Sequence, residues 1–198
     1  MPHRYTDVDR LILDRWQEVS GLREAFDDLL GRVKEVLEDS LGKVAATAQE
    51  RGFSCDYSVK EPSIWFWKKE WETKTWKAPG VAILIRDFAP RAYGKVRDAH
   101  PWTYLDITEA SKLKVKNRLQ FAQTIRAGLD DELRKKWDVA DADLEDYAVG
   151  VISRQIDDAE RVRWIKEPAD LQRFLLERLD EAREIVPAVD KALKAVGR

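Results

Sequence analysis

Apolar residues recur at helical spacing near the N-terminus, at every second position in the middle of the chain, and at helical spacing again towards the end. Thr6 and Asp7 are good N-cap residues, and Val8, Leu11, Ile12, Trp16 and Val19 follow on one helix face, so a short first helix is expected to stop at Ser20-Gly21. Leu22, Phe26, Leu29, Leu30, Val33, Leu37, Leu41, Val44 and Ala48 then form an apolar stripe that predicts a long second helix, ended by Gly52. Gly31 and Gly42 inside it each cost about 1 kcal/mol relative to Ala, which predicts a bend or a close approach by another element.

From Phe53 the period becomes two. Phe53, Cys55, Tyr57 and Val59 alternate with Ser54, Asp56 and Ser58, as in a half-buried strand, and Glu61-Pro62-Ser63 reads as a turn. The next stretch, Glu61 to Lys77, holds four of the eight tryptophans. Read as one strand, it places Trp65, Trp67, Lys69 and Trp71 on one side and Ile64, Phe66, Lys68, Glu70, Glu72, Lys74 and Trp76 on the other. Ala78-Pro79-Gly80 turns the chain again, Val81 to Ile85 reads as a central strand, and Trp102 to Ile107 is a further strand after a loop from Phe88 to Arg97.

A helix is expected over the stripe Val115, Leu119, Ala122, Ile125, Leu129, Leu133 and Trp137, followed by an acidic loop from Asp138 to Asp146. Tyr147 to Ile152 fits either a last strand or the start of a helix. Pro168 suits a first helical turn, and Leu171, Phe174, Leu175, Arg178, Leu179, Ala182, Ile185 and Val186 describe a long final helix, bent or broken at Pro187. Helices gathered before and after a run of strands indicate one α+β domain over residues 1–198. Its central sheet is antiparallel or mixed, flanked by long N- and C-terminal helices over 21–51 and 168–196.

Charge modifies this picture only locally. The net charge is −2, but residues 60 to 118 carry 13 Lys and Arg against 7 Asp and Glu, whereas residues 7 to 50 carry 6 against 11. The basic, aromatic middle permits a polyanion-binding face. There Trp65, Trp67 and Trp71, with Lys69 between them, stack on bases or anchor a protein, and Arg91, Lys95 and Arg97 add positive charge. The same aromatics also suit a core under helices. One cysteine, Cys55, excludes an internal disulfide and suits a reducing compartment. With no apolar run of membrane-spanning length and no signal-peptide core, a cytoplasmic protein is expected.

Asp56 with Glu72 and Lys74 is the best catalytic candidate. Two carboxylates on successive strands can hold Mg²⁺ against a phosphodiester, with the lysine polarising the attacking water or the phosphate. An exposed acid and an ordinary surface pair would leave the same pattern. His3 and His100 lack partners at ligand spacing, and no nucleophile elbow or phosphate loop occurs.

Asp56, the short turn and Glu72-Thr73-Lys74, following a long N-terminal helix, resemble the PD-(D/E)XK nuclease superfamily over residues 20 to 107. The Trp-rich strand, with a late helix ending in Ile185-Val186-Pro187, is similar to small bacterial and phage proteins grouped near it. The resemblance implies Asp56 and Glu72 as metal ligands, Lys74 as catalytic lysine and Glu24 as helical acid. Cys55 stands where the family's pattern has a proline, which puts activity in doubt. The chain is therefore expected to be a non-catalytic interaction protein on a degenerate nuclease-like fold, with a protein or nucleic-acid partner and no cofactor. The alternative is an active Mg-dependent DNA endonuclease.

Overall fold

The structure is a computed structural model that describes residues 6–72, 80–90, 102–109, 115–139 and 148–197. It groups the chain into two compact units, Met1–Val36 and Leu37–Arg198.

The first unit is helical. Thr6 caps α1 (Asp7–Asp14): its hydroxyl accepts the Asp9 amide at 3.2 Å, and the Asp9 carboxylate accepts the Thr6 amide at 2.7 Å. These reciprocal bonds satisfy two donors that a helix start leaves orphaned. The Thr6 hydroxyl, which donates to the Asp9 carboxylate at 2.6 Å, and after it the Thr6 amide hold the Asp9 carboxyl below its ordinary range. The first helix stops at Arg15, not at Ser20-Gly21 as the sequence suggests, and α2 (Trp16–Glu50) begins immediately after it. Gly21 and Gly31 lie inside α2 with open space where a Cβ would stand. A glycine there penalises the helix without ending it.

The second unit opens with the C-terminal part of α2, whose Leu37, Leu41, Val44 and Ala48 are buried. Gly52, at φ 85°, takes the left-handed conformation that ends this helix, and the Phe53 amide returns to the Ala48 carbonyl at 3.0 Å. Strands β1 (Ser54–Ser58), β2 (Ser63–Trp67), β3 (Val81–Arg86) and β4 (Trp102–Glu109) follow as the expected meander. After α3 (Val115–Gly128) and α4 (Asp131–Lys136), β5 (Asp138–Val139) and β6 (Ala148–Gln155) extend the sheet to six strands. The spatial order is β1-β2-β3-β4-β6-β5, every neighbouring pair antiparallel. The chain closes with α5 (Asp158–Lys166) and α6 (Pro168–Ala195).

Ile64, Phe66, Ile83 and Ile85 lie at alternate positions of β2 and β3, in register, and are fully buried. Trp65, Trp67 and Leu84 take the intervening positions and are only half-buried. One face of the sheet thus makes the core and the other is partly open, which is why both sets of alternate positions in β2 carry bulky side chains. The last helix supplies much of the remaining core through Leu171, Leu175, Leu179, Ile185 and Val189. It runs through Pro187 as one element instead of breaking there. Helix α3 packs closely on it: a Cβ on Gly128 would stand 3.5 Å from that of Ala188. Trp164 of α5 stacks on Phe174 at 4.3 Å, and the buried Arg178 guanidinium lies 5.6 Å from the same ring while pairing with Glu181 at 2.9 Å.

Three further expectations change. The helix foreseen from Val115 to Trp137 is two helices, because Asp130 caps α4 by accepting the Glu132 and Leu133 amides. Of the stretch 147–152, left open between strand and helix, the described residues 148–152 form a strand, part of β6. Helix α5 was not foreseen, although its Asp157 cap, which accepts the Glu160 amide at 2.7 Å, is a readable start signal. The turn Ala78-Pro79 and the segment from Arg91 to Arg97 lie outside the described residues.

Candidate functional site

The tryptophan stretch is a strand only as far as Trp67. Lys68 leaves the sheet and Lys69–Trp71 forms a single 3₁₀ turn, so Trp65, Trp67, Lys69 and Trp71 do not share one strand face. The cause is a long-range polar anchor. Asp190 of α6 accepts the Trp71 indole Nε1–H at 2.7 Å and the Lys68 ammonium at 2.8 Å. Trp71 is consequently 2% exposed, and its ring is a core element instead of a stacking surface. Trp65 and Trp67 remain half-buried on the open side of the sheet and Lys69 is exposed. Arg91, Lys95 and Arg97 lie outside the described residues.

The proposed catalytic trio is placed in part. Asp56 is exposed on β1 opposite Trp65, and its carboxylate accepts the Tyr57 amide at 2.8 Å. Glu72 follows the 3₁₀ turn and accepts the Trp67 indole N–H at 3.2 Å. Lys74 lies outside the described residues, and Glu24 is exposed on α2 within the first unit. Among the described residues no group of three His, Cys, Asp or Glu side chains is gathered as a metal would require. Cys55, on the same strand as Asp56, has its thiol pushed up to about 12, by burial first and by the Asp56 charge second.

Two features were not recognised in the sequence. The first is a cavity of about 350 Å³ at the ends of α3 and α4, lined by Arg126, Arg134, Lys135, Lys136 and Trp137 among others. Lys136 is tied to Glu184 at 2.8 Å, and the buried Trp137 indole N–H has no acceptor. The basic run Arg134-Lys135-Lys136 before a tryptophan was its only readable signal.

The second feature is the first helical unit. Of the ten large apolar side chains that stand exposed among the described residues, eight lie between Val8 and Leu29. Leu22 is 71% exposed and Trp16 61%. The stripe read as core from Leu22 onward is therefore core only from Val33, which is 7% exposed. Its spacing did carry a signal, because the residues alternate in steps of three and four without drift from Val19 to Val36. No family model matches the chain, and no curated protein or solved structure proves similar to it.

Proposed function

We propose that the chain is a non-catalytic interaction protein whose first helical unit is the element that recognises a protein partner. One observation carries this reading: of the ten large apolar side chains exposed among the described residues, eight fall on α1 and the first part of α2. Scattered surface leucines are ordinary, but a continuous apolar stripe of Leu, Phe and Trp in water is a contact surface awaiting cover. Charged residues, including Glu24, Asp27 and Asp28, stand between them, as on an amphipathic docking helix. A nuclease reading finds no support in the geometry, since among the described residues no group of three His, Cys, Asp or Glu side chains gathers around Asp56 or Glu72.

The comparison that tests this is affinity capture from the native host with the parent chain and with a Leu22→Glu/Leu29→Glu variant. A partner retained by the parent and lost by the variant is the expected result. Plasmid nicking that requires Mg²⁺ and disappears in Glu72→Ala would overturn the non-catalytic part. A second, anionic ligand finds support in the basic cavity beside Trp137. It would appear as inorganic phosphate or oligonucleotide binding that falls with salt and with Lys135→Ala.

A further inference from the structure

Whether the exposed stripe fits a foreign partner or its own copy is legible in its geometry. Written as a seven-residue repeat abcdefg, α2 places Val19, Phe26 and Val33 at a and Leu22, Leu29 and Val36 at d. The same repeat runs back through α1, with Ile12 at a and Val8 at d. Its one charged member is Arg15, the residue at which the helix is interrupted. In the exposed part of α2, Val19 at a with Leu22 and Leu29 at d is the combination that suits two parallel strands, and Phe26 at a departs from it.

The flanking g and e positions are the stronger argument, since they must match the partner. In a parallel, in-register pair each g residue meets the e residue five positions later in the other helix. Within α2, Glu18 at g would then meet Arg23, and Ala25 would meet Leu30. One match is a carboxylate with a guanidinium and the other is apolar with apolar. Among the described residues, Glu18 and Arg23 pair with exposed neighbours: Arg15 lies 3.8 Å from Glu18, and Asp27 lies 4.0 Å from Arg23. Such contacts exchange readily for an intermolecular pair. Gly21 and Gly31 fall at c and f, away from the seam.

We infer that this protein associates with a second copy of itself through a parallel, two-stranded coiled coil formed by the helices of its first unit, with Val19, Leu22, Phe26 and Leu29 at the seam. The inference deepens the proposed function by naming the partner, and rests on that reading.

Light scattering of the full chain should give twice its 23.0 kDa mass, and Leu22→Glu/Leu29→Glu should give the single mass with an unchanged unfolding transition. Glu18→Arg and Arg23→Glu should each weaken dimerisation severalfold, and their combination should restore it. In a Cys55→Ser background, Leu22→Cys should form a disulfide to its own copy under mild oxidation, whereas Glu24→Cys should not. A monomer at every concentration, or a dimer that survives the double glutamate variant, overturns the inference. So does a Leu22→Cys chain that cross-links only to a Leu29→Cys chain, which would mark an antiparallel seam. A monomeric parent that still captures a foreign partner through the stripe would sink this inference while leaving the interaction reading intact.

Discussion

The indole Nε1–H of Trp71 donates to the Asp190 carboxylate at 2.7 Å across 119 residues of chain. The same carboxylate receives Lys68, so one side chain of α6 anchors the chain just beyond the end of β2 and fixes the way Trp71 faces. Asp190→Ala leaves the buried indole N–H without an acceptor, and unfolding in urea should show a loss of about 1–3 kcal/mol. Trp71→Ala adds an empty ring site and should cost about 3–5 kcal/mol. An Asp190→Ala transition indistinguishable from the parent would mean that the anchor is not made in solution.

Leucines on the two parts of α2 should respond in opposite ways. Leu41 is fully buried and Leu22 is 71% exposed. Leu41→Ala is expected to lower stability by about 2–5 kcal/mol through lost burial and a residual cavity. Leu22→Ala should stay within about 0.5 kcal/mol in dilute solution, where its surface is already wet. Denaturation of both variants at low protein concentration checks the contrast.

Glycines along the same helix give a third pair. A Cβ at Gly42 would sit at ordinary contact distance, 3.8 Å, from the Tyr57 hydroxyl. Gly42→Ala should therefore keep the packing and add up to about 1 kcal/mol of helix propensity. Gly52 has open space but a φ of 85°, so Gly52→Ala should be destabilising, by about 1 kcal/mol or more. Thermal melts that move in the same direction for both would contradict the assigned backbone conformation.

Cys55 sets a pH dependence. Its thiol is pushed up to about 12 from an ordinary 9, so the folded protein holds this proton more tightly than the unfolded chain. The corresponding stability is complete below pH 9 and is lost as pH rises towards 12. At pH 8 the native thiol should react slowly with a disulfide reagent and rapidly once the chain is unfolded in urea. Equal rates in the two states would show that Cys55 is not shielded.

Much of the second unit was readable because local pattern and tertiary role agree there. Cys55 and Tyr57 alternate with Ser54, Asp56 and Ser58 as a strand and form one, and Pro168 with the Leu171–Ile185 stripe marks the start and buried face of α6. Reading failed where a distant contact overrides the local period. Nothing near Trp67 announces that Asp190 will turn the chain out of the sheet, and a two-residue strand such as β5 has no period to detect. The first unit failed for another reason. Periodicity reports that a helix has an apolar face, but Leu22 and Leu41 look alike in sequence although one is exposed and the other buried. Of the catalytic candidates, Asp56 and Glu72 could be found by residue type, yet the Trp67 indole that donates to Glu72 could not.

Asp56 also has a bearing on how the molecule behaves beside its neighbours in concentrated solution. Strand β1 is one border of the six-stranded sheet, and β5, only two residues long, is the other. A sheet border offers unpaired amides and carbonyls to any stray strand, so proteins blunt such borders with charge or brevity. On β1 a charge of this kind is present, the exposed Asp56 carboxylate at its midpoint. The aspartate that invites a reading as a metal ligand thus also stands where charge disfavours edge-to-edge growth of the sheet.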